Sequence, residues 1–200
     1  MKKGFTLLEL LIVIGIIAIL ASVVALVLNP AELLRQARDG QRISDFDTLR
    51  TAINYHLSTG TLPDTNYNAA GTAYRRTFAA ALNCPFATSS ACTAITTTTS
   101  TAVGGTGWVN VNFNDVGGGS SPLSVLPIDP TNNTTYYYAY AGEDVSILFE
   151  LNGRLESTKY RIKMTQDGGN QNTCSTYIED QSTPGANNGC YYEVGTSINL

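Results

Sequence analysis

The sequence predicts an α+β fold in which one long N-terminal helix, apolar and then amphipathic, lies on an antiparallel meander. Three observations carry that expectation: a continuous apolar run from Phe5 to Leu28, three-and-four spacing of apolar residues from Ala31 to Leu57, and short alternating segments between Trp108 and Tyr160. At 200 residues and 21.4 kDa, 43% hydrophobic and only 14% charged, the chain accommodates one domain plus an additional segment. Abundant Thr (25), Gly (18) and Tyr (11) suit strands, turns and an exterior surface and exclude coiled coil and collagen. Sixteen acids outnumber twelve bases, for a net charge of -4, so binding to nucleic acid by phosphate neutralisation is not expected.

The first element is the apolar run itself. Between Leu10 and Leu28 there is no charge, and twenty-four helical residues at about 1.5 Å each span a hydrocarbon core of about 30 Å with some tilt. A buried soluble helix is the alternative. Lys2 and Lys3 precede the run and no basic cluster closely follows it, which predicts a cytoplasmic N-terminus and an exported remainder. The run is too long for a secretory h-region, no Ala-x-Ala occurs from Ala18 to Leu28, and no Cys precedes Cys84, so the segment is expected to stay attached. Glu9 lies one turn inside the run, where an ionised carboxylate costs up to a few kcal/mol without a cation. Snorkelling Lys2 or Lys3 could supply that cation, or another molecule could.

The segment Lys2-Lys3-Gly4-Phe5-Thr6-Leu7-Leu8-Glu9-Leu10 resembles the leader and N-terminal helix of type IV pilins and type II secretion pseudopilins. The resemblance is specific over about the first thirty residues and architectural beyond them. It implies cleavage between Gly4 and Phe5 by a prepilin peptidase, N-methylation of Phe5, and pairing of Glu9 with the terminal amine of a neighbouring subunit in a filament. Burial makes each of those charges expensive alone and tolerable together, so subunits that dock in register are favoured. The resemblance also implies other pilins as partners, a platform membrane protein and an assembly ATPase, since no ATP-binding motif is present. The expected organisation is a leader at 1–4, a transmembrane and filament-core helix at 5–28, an amphipathic helix at 29–59 and an exported head at 60–200.

Asn29-Pro30-Ala31-Glu32 reads as a helix start, with Asn at the cap and Pro in the first turn. Pro30 could equally kink one continuous helix. The resemblance adds Gly15 and Pro30 as limits of a stretch that can melt on assembly. Along the second helix, Leu34, Ala37, Ile43, Phe46, Leu49, Ile53 and Leu57 form an apolar stripe destined for the sheet. Arg35 with Asp39, and Asp47 with Arg50, have helix-pair spacing, and the charges of this helix are expected to be solvated or to bridge subunits. Gly60 is expected to close the helix ahead of a loop at Leu62-Pro63-Asp64.

In the head, Ala73 to Leu82 is a candidate short helix and Ala94 to Gly107 a Thr- and Gly-rich loop. Trp108 to Phe113 alternates as a half-buried strand, and Gly117 to Pro122 follows as a loop. Strands are expected at Tyr136–Ala141, Val145–Leu151 and Arg154–Tyr160, joined by Gly142-Glu143-Asp144 and by an Asn152-Gly153 hairpin turn. Val145, Ile147, Phe149 and Leu151 would cover Phe46, Leu49 and Ile53. Leu126-Pro127-Ile128-Asp129-Pro130 resembles the passage into the sheet of related pilins, some of which bind calcium there. Asp129, Asn132, Asn133 and Asp167 offer oxygens without the spacing of a defined calcium loop; the alternative is that Asp129 and the Asn pair make turns.

Cys84, Cys92, Cys174 and Cys190 all follow the apolar run, and an even count in an exported domain argues disulfides. Of three pairings, neighbours are expected: Cys84 with Cys92 and Cys174 with Cys190. The second would close a loop of about fifteen residues, contributing roughly 3 kcal/mol in the chain-entropy account, and would staple a loop-rich C-terminal part. Zinc-site spacing is absent. The lone imidazole, His56, sits on the amphipathic helix, and no nucleophile, phosphate-loop or dinucleotide motif occurs, so no catalytic residue, cofactor or resident metal is expected beyond the calcium candidates. The reading is a non-enzymatic filament subunit that waits in the inner or cytoplasmic membrane and then joins an extracellular or periplasmic filament. A pseudopilin of a type II secretion system is the alternative; an anchored monomeric binding protein or enzyme is the alternative from another class. Two disulfides and the Thr-rich loop lean toward a surface pilus.

Overall fold

The computed structural model describes residues 4–58, 72–78, 86, 96–115, 119–143, 148–168 and 190–196. Two helices open the chain, α1 at Leu7–Leu28 and α2 at Pro30–Ser58. They are separate elements because Asn29 adopts a left-handed conformation (φ 39°, ψ 74°). The residue before a proline is disfavoured in the right-handed helical region, and Asn tolerates the left-handed one. The Asn29 carbonyl then accepts from the Glu32 amide at 3.0 Å and starts α2. Helix stop and restart is therefore the outcome that the Asn-Pro pair produces.

Five strands follow: β1 at Thr72–Arg76, β2 at Thr96–Thr97, β3 at Ala139–Glu143, β4 at Leu148–Gly153 and β5 at Tyr192–Gly195. They form one sheet in the order β2-β1-β3-β4-β5, antiparallel throughout except for the parallel β1–β2 pair. The expected antiparallel meander is thus a mixed sheet, still α+β in class. Phe46, Leu49, Ala52 and Ile53 of α2 bury against Tyr138, Tyr140, Phe149, Leu151 and Val194, and each fully buried side chain of this size contributes about 1.5–3 kcal/mol. The expected facing of Phe149 and Leu151 toward Phe46, Leu49 and Ile53 holds; Val145 and Ile147 lie outside the described residues. Ala139 and Ala141 turn to the opposite face, where Tyr137, Tyr191 and Phe86 cover them.

Several local expectations are corrected. Residues 73–76 of the candidate helix are strand β1, because Ala73 to Arg76 pair in register with Gly142 to Ala139; residues 79–82 lie outside the described residues. The Thr-rich loop contributes β2. Trp108 to Phe113 is not a regular strand. Trp108, Val109, Asn110, Val111 and Phe113 are all buried, so no solvent face imposes a period of two, and the segment is held by the Trp108 amide on the Ser100 carbonyl and the Phe113 amide on the Val103 carbonyl. The strand expected at Tyr136–Ala141 begins only at Ala139 and takes in Gly142 and Glu143.

Asn152-Gly153 makes no hairpin. Both residues continue β4 and pair with Glu193 and Tyr192 of β5. Gly153 serves close approach instead of a turn: a β-carbon there would lie 2.7 Å from Cζ of Phe46. The strand expected at Arg154–Tyr160 is replaced by a buried irregular stretch leading into a 3-10 helix at Arg161–Thr165. In the C-terminal part, expected to be loop-rich, the described residues include β5. Of the four cysteines only Cys190 falls among the described residues, where it carries no free thiol; Cys84, Cys92, Cys174 and the loop start at 59–64 lie outside them.

Candidate assembly segment and the latch that holds the head

Thr6 caps α1. Its hydroxyl accepts from the Glu9 amide at 3.2 Å, while Glu9 Oε2 accepts from the Thr6 amide and the Thr6 hydroxyl, each at 2.9 Å. This reciprocal capping box satisfies two donors that a helix start leaves open. Sequence reasoning took Thr6 and Glu9 only as part of the resemblance and missed this box, whose signal is Thr-x-x-Glu ahead of an apolar run. Glu9 thereby has a role within its own chain, its carboxylate held at the helix start on the Thr6 amide and hydroxyl. Gly4 and Phe5 precede the helix and are exposed, Phe5 at 88%; Gly15 lies inside α1 with open space around it.

The window Leu7–Val24 is long and apolar enough to cross a membrane, and none of it is buried within the chain. A soluble core helix would be mostly covered, whereas this window stays unpartnered within the chain. Pro30 opens α2, one residue after the Asn29 joint.

From Glu32 onward, α2 is latched to the head. Asp39 and Arg42 are buried, with Arg42 only 1% exposed, which overturns the expectation that the charges of this helix are solvated. Asp39 accepts three backbone N–H bonds: Glu156 to Oδ1 at 3.0 Å and to Oδ2 at 3.1 Å, and Ser157 to Oδ2 at 2.7 Å. Those amides are the ones that an Arg154–Tyr160 strand would have spent on a neighbouring strand. Arg42 sits between Asp39 (2.8 Å), Asp129 (2.7 Å) and Glu156 (2.7 Å). Arg38 adds a second guanidinium to Glu156 at 2.6 Å. The Thr158 amide donates to Glu32 at 2.7 Å. Arg35 pairs with Glu32 at 3.7 Å and not with Asp39, and no Asp47–Arg50 ion pair forms among the described residues.

The electrostatics follow from this geometry. Burial disfavours a charged Arg42, yet its bonds to Asp129, Glu156 and Asp39 outweigh that cost and raise its pKa. Burial likewise opposes ionised Glu156, and the hydrogen bonds from Arg38 and Arg42 overcome it, holding the carboxyl below its ordinary 4.5. Asp45 is pushed up by burial, although the Tyr138 hydroxyl (2.8 Å) and Gln41 (2.6 Å) donate to it.

The calcium candidates are spent on the fold. Asp129 holds Arg42 and the amides of Thr131 and Asn132; Asn132, itself left-handed at φ 40°, accepts from Thr77; Asn133 closes a turn on the amides of Thr135 and Tyr136; Asp167 accepts from the Glu193 amide. No group of three or more His, Cys, Asp or Glu side chains gathers among the described residues. His56 is buried, edge-on to Phe113 at 6.3 Å between centroids. Sequence reasoning missed the roles of Asp39, Arg42 and Glu156: spacing along a helix carries no information about distant partners for the first two, and Glu156 lay in a segment read as a strand.

The described residues thus form a capped, uncovered apolar helix that is followed by a second helix latched to the head. A family model described as the prokaryotic N-terminal methylation motif matches residues 1–25, so the chain carries the prepilin-type motif, the signature of type IV pilins and pseudopilins. No curated protein and no solved structure matches the chain significantly.

Proposed function

We propose that the protein is a structural subunit of a type IV pilus-like filament. The carrying observation is that the methylation motif at residues 1–25 takes in the apolar helical window Leu7–Val24, none of which is buried within the chain. Lipid holds α1 before assembly, with the N-terminus in the cytoplasm and the head exported. A prepilin peptidase and methylase cleaves after Gly4 and methylates Phe5. Sister helices then bury the same apolar area in the filament, driven by an assembly ATPase acting through a platform membrane protein. Glu9 exchanges its intrachain bonds to Thr6 for the terminal amine of a neighbouring subunit and so sets the register. Disulfides Cys84–Cys92 and Cys174–Cys190 staple the exported head. The work of the chain is assembly, with no catalytic step. Calcium at Asp129 is disfavoured because Arg42 already neutralises that carboxylate.

Intact-mass spectrometry of protein sheared from cells, with and without reduction, tests this reading. The expected product starts at N-methylated Phe5 and gains about four hydrogens on reduction, as two disulfides require. A chain still starting at Met1 and recovered only from membranes overturns the filament reading.

A further inference from the structure

The apolar surface of the anchor does not end with α1. Beyond the Asn29 joint, Leu33 is 50% and Leu34 61% exposed, and Arg35 follows with half of its side chain exposed. The head descends to the same level, because the Thr158 amide is bonded to Glu32. Lys159 is therefore held beside the first turns of α2; it is exposed, with its ammonium 5.0 Å from the Tyr160 ring centroid. Among the described residues no ion pair engages Lys159. Both nearby carboxylates are committed, Glu32 to Thr158 and Arg35, Glu156 to Arg38 and Arg42.

Helical rise locates this ledge. Leu33, Leu34 and Arg35 stand five to seven residues past Leu28, at most about 8–11 Å along the helix at 1.5 Å per residue, and a bend at Asn29 only shortens that depth. The polar layer of a bilayer is about 5–8 Å thick on each side, within reach of Lys and Arg side chains that extend back toward it. We propose that, before assembly, Leu33, Leu34, Arg35 and Lys159 seat the head on an anionic phospholipid surface, the leucines resting against the headgroup layer and the two cations meeting headgroup phosphates. The inference rests on the membrane-anchor reading above. It gives a chain of net charge -4 a basic contact where an anionic leaflet would otherwise repel it.

The test uses the full chain in nanodiscs of phosphatidylcholine, alone or with phosphatidylglycerol, and reads amide exchange at residues 158–163. Each cation near an anionic surface is worth about fivefold in binding, so exchange is expected to slow on the order of tenfold in the anionic discs. High salt and the double variant Arg35→Glu, Lys159→Glu should each abolish the slowing. Equal exchange in both lipids for the unaltered chain overturns the proposal. So does water-like emission from a polarity-sensitive dye on Leu34→Cys in anionic discs. Failure of the chain to co-purify with discs of either lipid overturns the anchor reading itself, a result distinct from equal exchange in loaded discs.

Discussion

Arg42 and Asp129 meet through two parallel contacts, Nε to Oδ2 at 2.7 Å and Nη2 to Oδ1 at 3.0 Å, across 87 residues of sequence. This two-pronged geometry fixes both groups in one plane, and Asp39 and Glu156 close on the other side of the same guanidinium. One cation on α2 therefore ties together the loop before β3 and the segment after β4. The head is registered on its helix by charge as well as by apolar contact.

Removing that cation leaves buried carboxylates uncompensated. Arg42→Met should destabilise the head by about 3–5 kcal/mol, and Arg42→Lys, which keeps the charge and loses the fork, by less. Urea unfolding of the full chain in detergent, followed by the fluorescence of Trp108, measures both. Unchanged midpoints would contradict the latch.

Asp39 makes its contribution through backbone amides. Asp39→Ala should cost about 3 kcal/mol, since several charge-assisted bonds vanish and their donors stay buried. Hydrogen exchange should accelerate at Glu156 and Ser157 before it does in β3. Uniform acceleration throughout the head would mean that the segment is held by something else.

Glu156 predicts the acid response. Its folded pKa lies below its ordinary 4.5, so its contribution to stability is present above 4.5 and is lost as pH falls through the lower folded value. The melting temperature of the unaltered protein should drop over that acid window, and the drop should be smaller in Glu156→Gln. Parallel curves for the two proteins would show that Glu156 is not the titrating group.

Gly153→Ala should destabilise by about 1–3 kcal/mol although it lies in a strand, where Ala is ordinarily tolerated at least as well as Gly. The added carbon would meet the Phe46 ring at 2.7 and 3.1 Å, and Phe46 is itself held by Tyr138 at 4.8 Å between centroids. Phe46→Leu in the same background should recover part of the loss by making room. Thermal melts of the unaltered protein and the two variants decide it.

At the N-terminus, Thr6→Ala should loosen the first turn of α1 by about 1 kcal/mol, visible as faster exchange at Glu9 and Leu10. Glu9→Ala should do the same and also abolish sheared filaments while leaving folded subunit in the membrane. Filaments at normal yield from Glu9→Ala would remove Glu9 from assembly.

The apolar anchor, the methylation motif and the Phe46-Leu49-Ile53 stripe were written in the sequence because composition and helical period are local properties. The α+β class was equally legible, and the Asn-Pro pair held both possible outcomes, break or kink. Tertiary structure decided the rest. Asn152-Gly153 reads as a turn, yet Phe46 needs the space above Gly153, so the chain stays extended. Asp39 and Arg42 read as solvated helix charges until Asp129 and Glu156 arrive from far along the chain. Glu156 and Ser157 became a latch because a buried carboxylate, and not a neighbouring strand, satisfies their amides. Period and composition bear on what a residue prefers; only long-range contact determines which partner removes the cost of burying it.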